Sequence, residues 1–243
     1  MKTTGVALIS GGLDSATAIA VAHHEHDVQV KTGLSVLYGQ KHSREIRAAQ
    51  DIARHYALEH HTVDLGSLGH IIRGASALLN PDEPLPHDRA LSEMTARVPR
   101  SYVPGRNTIL LALAQSIAEA YGHQIIVTGF NAVDFSGYPD CRPIFVEAWN
   151  HLARYGTRVG YQNNQPILVL APIVNSSKAS VVATGTRYGV PFHLTWSCYE
   201  GGQVACGRCD SCRIRRDAFR ENNLEDPIKY PDQVQDDCDR LWS

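Results

Sequence analysis

No apolar run in this 243-residue chain approaches the roughly 20 residues that a membrane-spanning helix needs. An excess of one charge is missing as well. Lys and Arg number 23 against 25 Asp and Glu, a net charge of −2, so no global field draws the chain to nucleic acid or to a membrane surface. No internal repeat and no low-complexity tract is present. Met1-Lys2-Thr3-Thr4 leads straight into an apolar run and leaves no room for a signal peptide, so the expected location is the cytoplasm. What remains is a composition 43% hydrophobic, normal for a globular protein, at a length that holds one large domain or a domain plus a small appendage. Six Cys in a reducing compartment point to metal or catalysis before disulfides.

Short apolar, β-rich runs at 5–9, 30–38, 62–65, 124–129 and 167–172 alternate with helical patterns at about 15–25, 41–58, 107–121, 143–155 and 176–188. Such alternation predicts an α/β fold, a doubly wound parallel sheet of about five strands with helices on both faces. Ligands then belong at the carboxyl ends of the strands. The segment 66–104, rich in Gly, Pro and polar residues, is too long for a bare loop and is expected to carry short helices or a mobile cover. From about residue 195 the chain becomes cysteine-rich, which divides it into an α/β domain, 1–194, and a C-terminal segment, 195–243.

The first strand runs into Ser10-Gly11-Gly12-Leu13-Asp14-Ser15 and then into the apolar helix opening at Ala16 and Thr17. Strand, Gly-rich turn and helix N-terminus make an anion site: backbone N–H groups converge there with the positive end of the helix dipole. Two glycines let the backbone approach a phosphate, and Ser10 and Ser15 offer hydroxyl donors. Asp14 is placed for an N-cap or a Mg²⁺ contact. It also stands where the other common phosphate loop, GxxxxGK[ST], requires Lys, so that loop is excluded. The plain alternative is a serine-glycine turn before an ordinary helix.

Cys198, Cys206, Cys209 and Cys212 form C-x7-C-x2-C-x2-C. Four thiolates so crowded can close a tetrahedral Zn²⁺ site, and Arg208, Arg213, Arg215 and Arg216 lie close enough in sequence to offset its net charge. An iron–sulfur cluster is the rival occupant, although the nearby fourth Cys followed by Pro of a ferredoxin run is lacking. Cys141 and Cys238 stand apart.

Further polar groups fall at strand ends. Tyr38-Gly39-Gln40 closes the second strand, a natural place to meet adenine or ribose. Arg106 and Asn107 open an apolar helix; Arg106 can meet a carboxylate or phosphate, and Asn107 is a good N-cap. The loop 131–142 is dense in polar residues, with Asp134 and Asp140 suited to the N–H groups of a purine-like ring and Phe135 and Tyr138 suited to stacking. Lys178 opens the last helix, where it can neutralise a phosphate or a leaving group.

Ser10-Gly11-Gly12-Leu13-Asp14-Ser15 resembles the pyrophosphate loop of the ATP-pyrophosphatases, which cleave ATP between its α- and β-phosphates. Together with Tyr38-Gly39-Gln40, Val103-Pro104-Gly105-Arg106-Asn107, the word from Asp134 through Ser136-Gly137-Tyr138-Pro139-Asp140-Cys141-Arg142, Ser177-Lys178 and the four cysteines, it resembles the 7-cyano-7-deazaguanine synthases, the QueC family, over residues 5 to about 220. The resemblance implies an adenine nucleotide alpha hydrolase-like fold and a ligase of queuosine biosynthesis. Its substrates would be 7-carboxy-7-deazaguanine, ammonium and ATP with Mg²⁺, and its form a homodimer that engages neither nucleic acid nor membrane. It transfers ATP binding to Ile9, Ser10, Gly11, Gly12, Leu13, Asp14, Ser15, Ala16 and Thr17, with Tyr38 and Gln40, and Zn²⁺ to the four cysteines. Catalysis falls to Asp14, Lys178 and Arg106. Position assigns substrate contacts to Arg106, Asn107, Asp134, Tyr138, Asp140 and Arg142. One departure stands out: family members often carry an acidic residue before Phe145, where this chain has Pro143-Ile144.

Two alternatives stay open on sequence alone. A tRNA sulfurtransferase of the same superfamily would adenylate a base oxygen and use the cysteines for iron–sulfur chemistry. A nucleotide-binding module with a zinc knuckle would bind ATP without releasing pyrophosphate.

Overall fold

The structure, a computed structural model, describes residues 2–39, 44–80, 82–83, 87, 98–131, 137–231 and 234. Five strands, β1 (Thr3–Leu8), β2 (Val28–Leu37), β3 (Glu59–Asp64), β4 (Ile125–Val127) and β5 (Leu168–Leu170), form one sheet in the order β3-β2-β1-β4-β5. Every pairing is parallel. The doubly wound α/β expectation holds. β1 is central, and the chain winds outward from it in both directions, so the switch point lies at the carboxyl end of β1 beside β4.

Eight α-helices are described: α1 (Leu13–Glu25), α2 (Arg44–His55), α3 (Gly66–Ile71), α4 (Arg106–Tyr121), α5 (Pro143–Gly156), α6 (Arg158–Asn163), α7 (Lys178–Arg187) and α8 (Asp210–Glu221). Alternation along the strands sends successive side chains to opposite faces. Ala7, Ile9, Val28 and Val30 bury against α1, α2 and α7 through Ile19, Ile52 and Val181. Val6, Leu34 and Ile126 bury against α4 and α5 through Leu111, Ala114 and Trp149. β3 is one of the two edge strands, and its Glu-His-His-Thr-Val-Asp sequence remains partly exposed throughout. Its polar start hides it in the sequence. Pairing nevertheless begins at Glu59, because the neighbouring β2 offers backbone partners from Thr32 onward.

The cysteine-rich tail holds a helix, α8, that the cysteine pattern conceals. Its buried face carries Cys212, Arg215, Ala218 and Phe219, spaced three, three and one residues apart as a helix requires. Ala218 and Phe219 join the same core as Ile19 and Val181, and the Phe219 ring meets Phe192 edge-on at 5.3 Å. Arg215 takes a core position because its charge is answered. Its guanidinium makes a two-pronged contact with Asp226, Nε to Oδ2 at 2.8 Å and Nη2 to Oδ1 at 2.9 Å, and Nη1 donates to Thr195 Oγ1 at 2.7 Å. Arg215 is therefore committed to Asp226 and not to the cysteines. Arg216 is likewise spent, with Nη2 donating to the Val234 carbonyl at 2.9 Å. The long 66–104 segment carries α3 and a short 3-10 turn, Arg73–Ala75, as its length suggests. No described helix is long and apolar enough to cross a membrane.

Candidate active site

α1 starts at Leu13, with Gly12 in the capping position and no side chain capping it. Asp14 is thus not the N-cap but a member of the first turn. The two serines brace the turn itself. Gly12 N–H donates to Ser10 Oγ at 3.2 Å, Ser15 Oγ donates to the Gly12 carbonyl at 3.0 Å, and the two hydroxyls lie 3.3 Å apart. The amides of Leu13, Asp14 and Ser15 precede the first intrahelical bonds, which leaves N–H groups and the dipole facing outward. Two glycines make the turn close-fitting. Gly11 has φ +79°, and a Cβ there would stand 2.5 Å from the Glu45 carbonyl oxygen; a Cβ on Gly129 would stand 2.7 Å from the Ser15 amide nitrogen. The starts of α1 and α2 and the end of β4 therefore meet at one point.

Lys178, first residue of α7, reaches this turn. Its Nζ lies 2.7 Å from Asp14 Oδ2, with both side chains largely buried. Sequence places the two residues 164 positions apart; the fold makes them a pair. Asp14 Oδ1 is buried and has no hydrogen-bond partner. An unanswered hard oxygen beside a phosphate-type turn suits Mg²⁺.

The opposite wall comes from α4 and the turn before α5. Arg106, Asn107, Tyr138 and Cys141 line the same pocket as Ser10, Asp14, Ser15 and Tyr38. α4 begins one residue earlier than expected, with Gly105 in the capping position, so Asn107 does not cap. Its amide instead holds the 139–141 turn: Nδ2 donates to the Asp140 carbonyl at 3.0 Å and to Cys141 Sγ at 3.1 Å, while Asp140 Oδ2 accepts the Asn107 N–H at 3.1 Å. Burial works against the charge of Arg106, but Tyr38, Cys141 and Tyr138 outweigh it, Tyr38 also through a hydrogen bond, and hold the guanidinium firmly protonated. Tyr138 shares a 2.7 Å hydrogen bond with Ser101. Asp140 sits behind Asn107, its Oδ1 buried and unpartnered. Arg142 is exposed and its Nε donates to the Pro139 carbonyl at 3.1 Å; the pocket lining does not include it. Gln40, Asp134, Phe135 and Cys238 lie outside the described residues. Leu13, Ala16 and Thr17 are buried in α1 and support the turn from behind. Ile144 is 64% exposed on α5 and away from the pocket lining, so the departure at this position lies on a helix surface.

Three contributions escaped the sequence reading. Ser35 in β2 donates to the Ile9 carbonyl at 2.7 Å and accepts from His60 Nε2 at 2.8 Å, which steadies the strand end under the turn. Glu45, from α2, lines the pocket. Burial raises its carboxyl to about 7, with Arg106 lowering it and Cys198 raising it. The tail supplies a wall through Trp196, Ser197, Tyr199 and Ser211. Trp196 N–H donates to the Gly11 carbonyl at 2.8 Å and its Nε1 to the Cys198 carbonyl at 3.1 Å, so one residue joins turn and cysteine cluster.

The ligand atoms of Cys198, Cys206, Cys209 and Cys212 all lie within 4.8 Å of one another. Cys206 N–H points to Cys198 Sγ and Cys209 N–H to Cys206 Sγ, each at 3.3 Å. Hydrogen bonds from Cys209 and Cys212 push the Cys198 thiol down. The Cys198 partner in turn pushes Cys209 up to about 12, and Cys212 is raised as well. One thiol ionises readily and its neighbours resist, because the charges would crowd one point. A soft divalent cation removes that conflict, so the donor set fits Zn²⁺.

Fold and site thus define an α/β protein with a phosphate-type turn at the sheet's switch point and, next to the same pocket, a four-thiol cluster able to hold a metal. A family model described as "Queuosine biosynthesis protein QueC" matches residues 4–223, and the chain belongs to that family. Relatives bearing the name 7-cyano-7-deazaguanine synthase include one from Synechococcus sp. (strain CC9902), 47% identical over 93% of this chain and 96% of its own. Another, from Nostoc sp. (strain PCC 7120 / SAG 25.82 / UTEX 2576), is 44% identical over the same shares. Among solved structures, NMN synthetase from Francisella tularensis aligns with TM-score 0.47 and 14% identity over 92% of this chain and 78% of its own; at that likeness it adds nothing to the assignment. The family match removes the ground for the sulfurtransferase and sensor alternatives.

Proposed function

We propose that the protein converts 7-carboxy-7-deazaguanine, ammonium and two ATP into 7-cyano-7-deazaguanine. The substrate carboxylate attacks the α-phosphate and pyrophosphate leaves, giving an acyl-adenylate. Ammonia displaces AMP and gives the amide. The amide oxygen is adenylated by the second ATP, and loss of AMP leaves the nitrile. Carboxylate and amide are poor electrophiles, and adenylation gives each a good leaving group.

The observation that carries this reading is the convergence of Ser10, Gly12, Asp14 and Ser15 of the turn with Arg106 in one pocket, Lys178 being held against Asp14. The turn's N–H groups hold phosphate oxygens. Asp14 Oδ1 would hold Mg²⁺, which neutralises charge on the phosphates. Lys178 orients Asp14 and offsets charge on departing pyrophosphate. Arg106 faces the α-phosphate or substrate carboxylate, and Asn107 and Tyr138 with Tyr38 shape the base site; Asp140 acts by fixing Asn107. Zn²⁺ on the four cysteines would be structural and hold the Trp196 wall. Residues 1–194 carry nucleotide chemistry and 195–243 the metal segment, in a cytoplasmic homodimer. Mass spectrometry with ATP, Mg²⁺, ammonium and 7-carboxy-7-deazaguanine tests this: two AMP per nitrile are expected. Absence of AMP sinks the adenylation, and accumulation of amide limits the enzyme to the first stage.

A further inference from the structure

The nitrogen chemistry just proposed needs a proton acceptor. Ammonium has no lone pair and must lose a proton before it attacks, and an imidate closes to a nitrile only when its N–H proton departs with the AMP. The described residues that line the pocket include no histidine. Asp14 is committed to Lys178 at 2.7 Å. Asp140 is absent from the lining and accepts from the Asn107 amide. Cys141 Sγ already receives the Asn107 Nδ2 proton at 3.1 Å. Glu45 differs from all three. It lines the pocket, it is half-buried, and no hydrogen bond to its carboxyl group is formed among the described residues. Its position is fixed from two sides. The Glu45 carbonyl oxygen abuts Gly11 of the phosphate turn, and its carboxyl lies in the field of Arg106 from α4. The residue thus shares one pocket with Ser10, Gly12, Asp14 and Ser15 of the phosphate turn and with Arg106.

We propose that Glu45 is the proton acceptor for both nitrogen steps, a role that rests on the adenylation reading above. In the first, the Glu45 carboxylate takes one proton from ammonium. The freed NH₃ forms the C–N bond, the C–O bond to AMP breaks with its electron pair on the phosphate, and the second proton leaves with AMP. In the second, adenylation of the amide oxygen gives a protonated imidate that loses one N–H proton to the departing pyrophosphate; the Glu45 carboxylate takes the remaining N–H proton as the C–O bond breaks, giving C≡N, AMP and a protonated Glu45 that returns its proton to water. A carboxyl held near neutrality by burial suits both taking and releasing that proton.

Substrate-dependent ATP–pyrophosphate exchange reports adenylation alone. Hydroxylamine, unprotonated near neutrality, traps the adenylate as hydroxamate without needing a base. Glu45→Gln is expected to keep exchange within about threefold of wild type and to trap hydroxamate normally, while amide formation from ammonium falls about 100-fold or more. Glu45→Asp should restore part of that loss. The amide-to-hydroxamate ratio is independent of how much of either variant folds. An unchanged ratio in Glu45→Gln overturns the role. Loss of exchange with an unchanged melting temperature also overturns it, since Glu45 would then serve binding. Wild-type enzyme that shows no exchange refutes adenylation itself, and Glu45's role with it; normal wild-type exchange with an unchanged variant ratio refutes Glu45 alone.

Discussion

The pocket has two unlike ends. The phosphate turn is made of backbone: Gly11 permits the approach of α2, Gly129 that of β4, and Ser10 and Ser15 spend their hydroxyls holding the turn. The tail is made of side chains: four sulfurs crowd together, Trp196 spans from them to Gly11, and Arg215 anchors the helix behind through Asp226. A backbone site is preformed by local sequence. A thiol cluster whose members oppose one another's ionisation suits a cation brought in from outside the chain.

That contrast predicts different failures. The largest effect should follow Cys209→Ser. Structural zinc contributes on the order of 10 kcal/mol in small sites, so the variant should lose metal and melt at a lower temperature, and the fluorescence of Trp196 should change as its wall loosens. Unchanged metal content and melting temperature would place the tail's stability in Phe219 and Arg215 instead. Next comes Asp14→Ala, which should cut AMP formation about 10²–10³-fold, the size of loss seen when one preorganised electrostatic group is removed, with little change in melting temperature. Retained turnover would take Asp14 out of the chemistry and leave Lys178 with no charge to orient.

The smallest effect lies at neither end. Burial lowers the pKa of His60 and of His123; His61 adds to the first, and Glu59 partly opposes the second. His123 bridges Thr32 Oγ1 and Thr4 Oγ1, both at 3.0 Å. A histidine whose folded pKa is depressed binds more protons unfolded, so the stability it contributes is full above pH 6.5 and is lost as pH falls below it. His123→Gln should flatten the acid side of the melting profile. An unchanged profile would assign the acid sensitivity to His60.

Much of this was legible in the sequence. The strand–helix alternation located every described strand, since apolar β-rich runs and amphipathic helices are local patterns. β3 was found short by its polar start, and α8 was missed because Arg215 breaks the apolar stripe and reads as surface. The site separates in the same way. Ser10 to Ser15 and the four cysteines are contiguous words whose chemistry follows from residue type and spacing. Asn107 read as a cap and is instead a tie, because Asp140 and Cys141 arrive from 33 and 34 residues away. Glu45 carried no signal at all: one acidic residue at the start of an amphipathic helix looks like solvated surface.

Sequence by itself determined the α/β class, the anion-binding turn, the thiol set and the family resemblance, because each is written in neighbouring residues. Tertiary structure alone decided that Lys178 meets Asp14, that Trp196 joins the tail to Gly11, and that Glu45 lines one pocket with Arg106. Those depend on parallel crossovers that bring distant helix starts to one end of the sheet, and on burial, which turns an ordinary carboxylate into a group poised near neutrality.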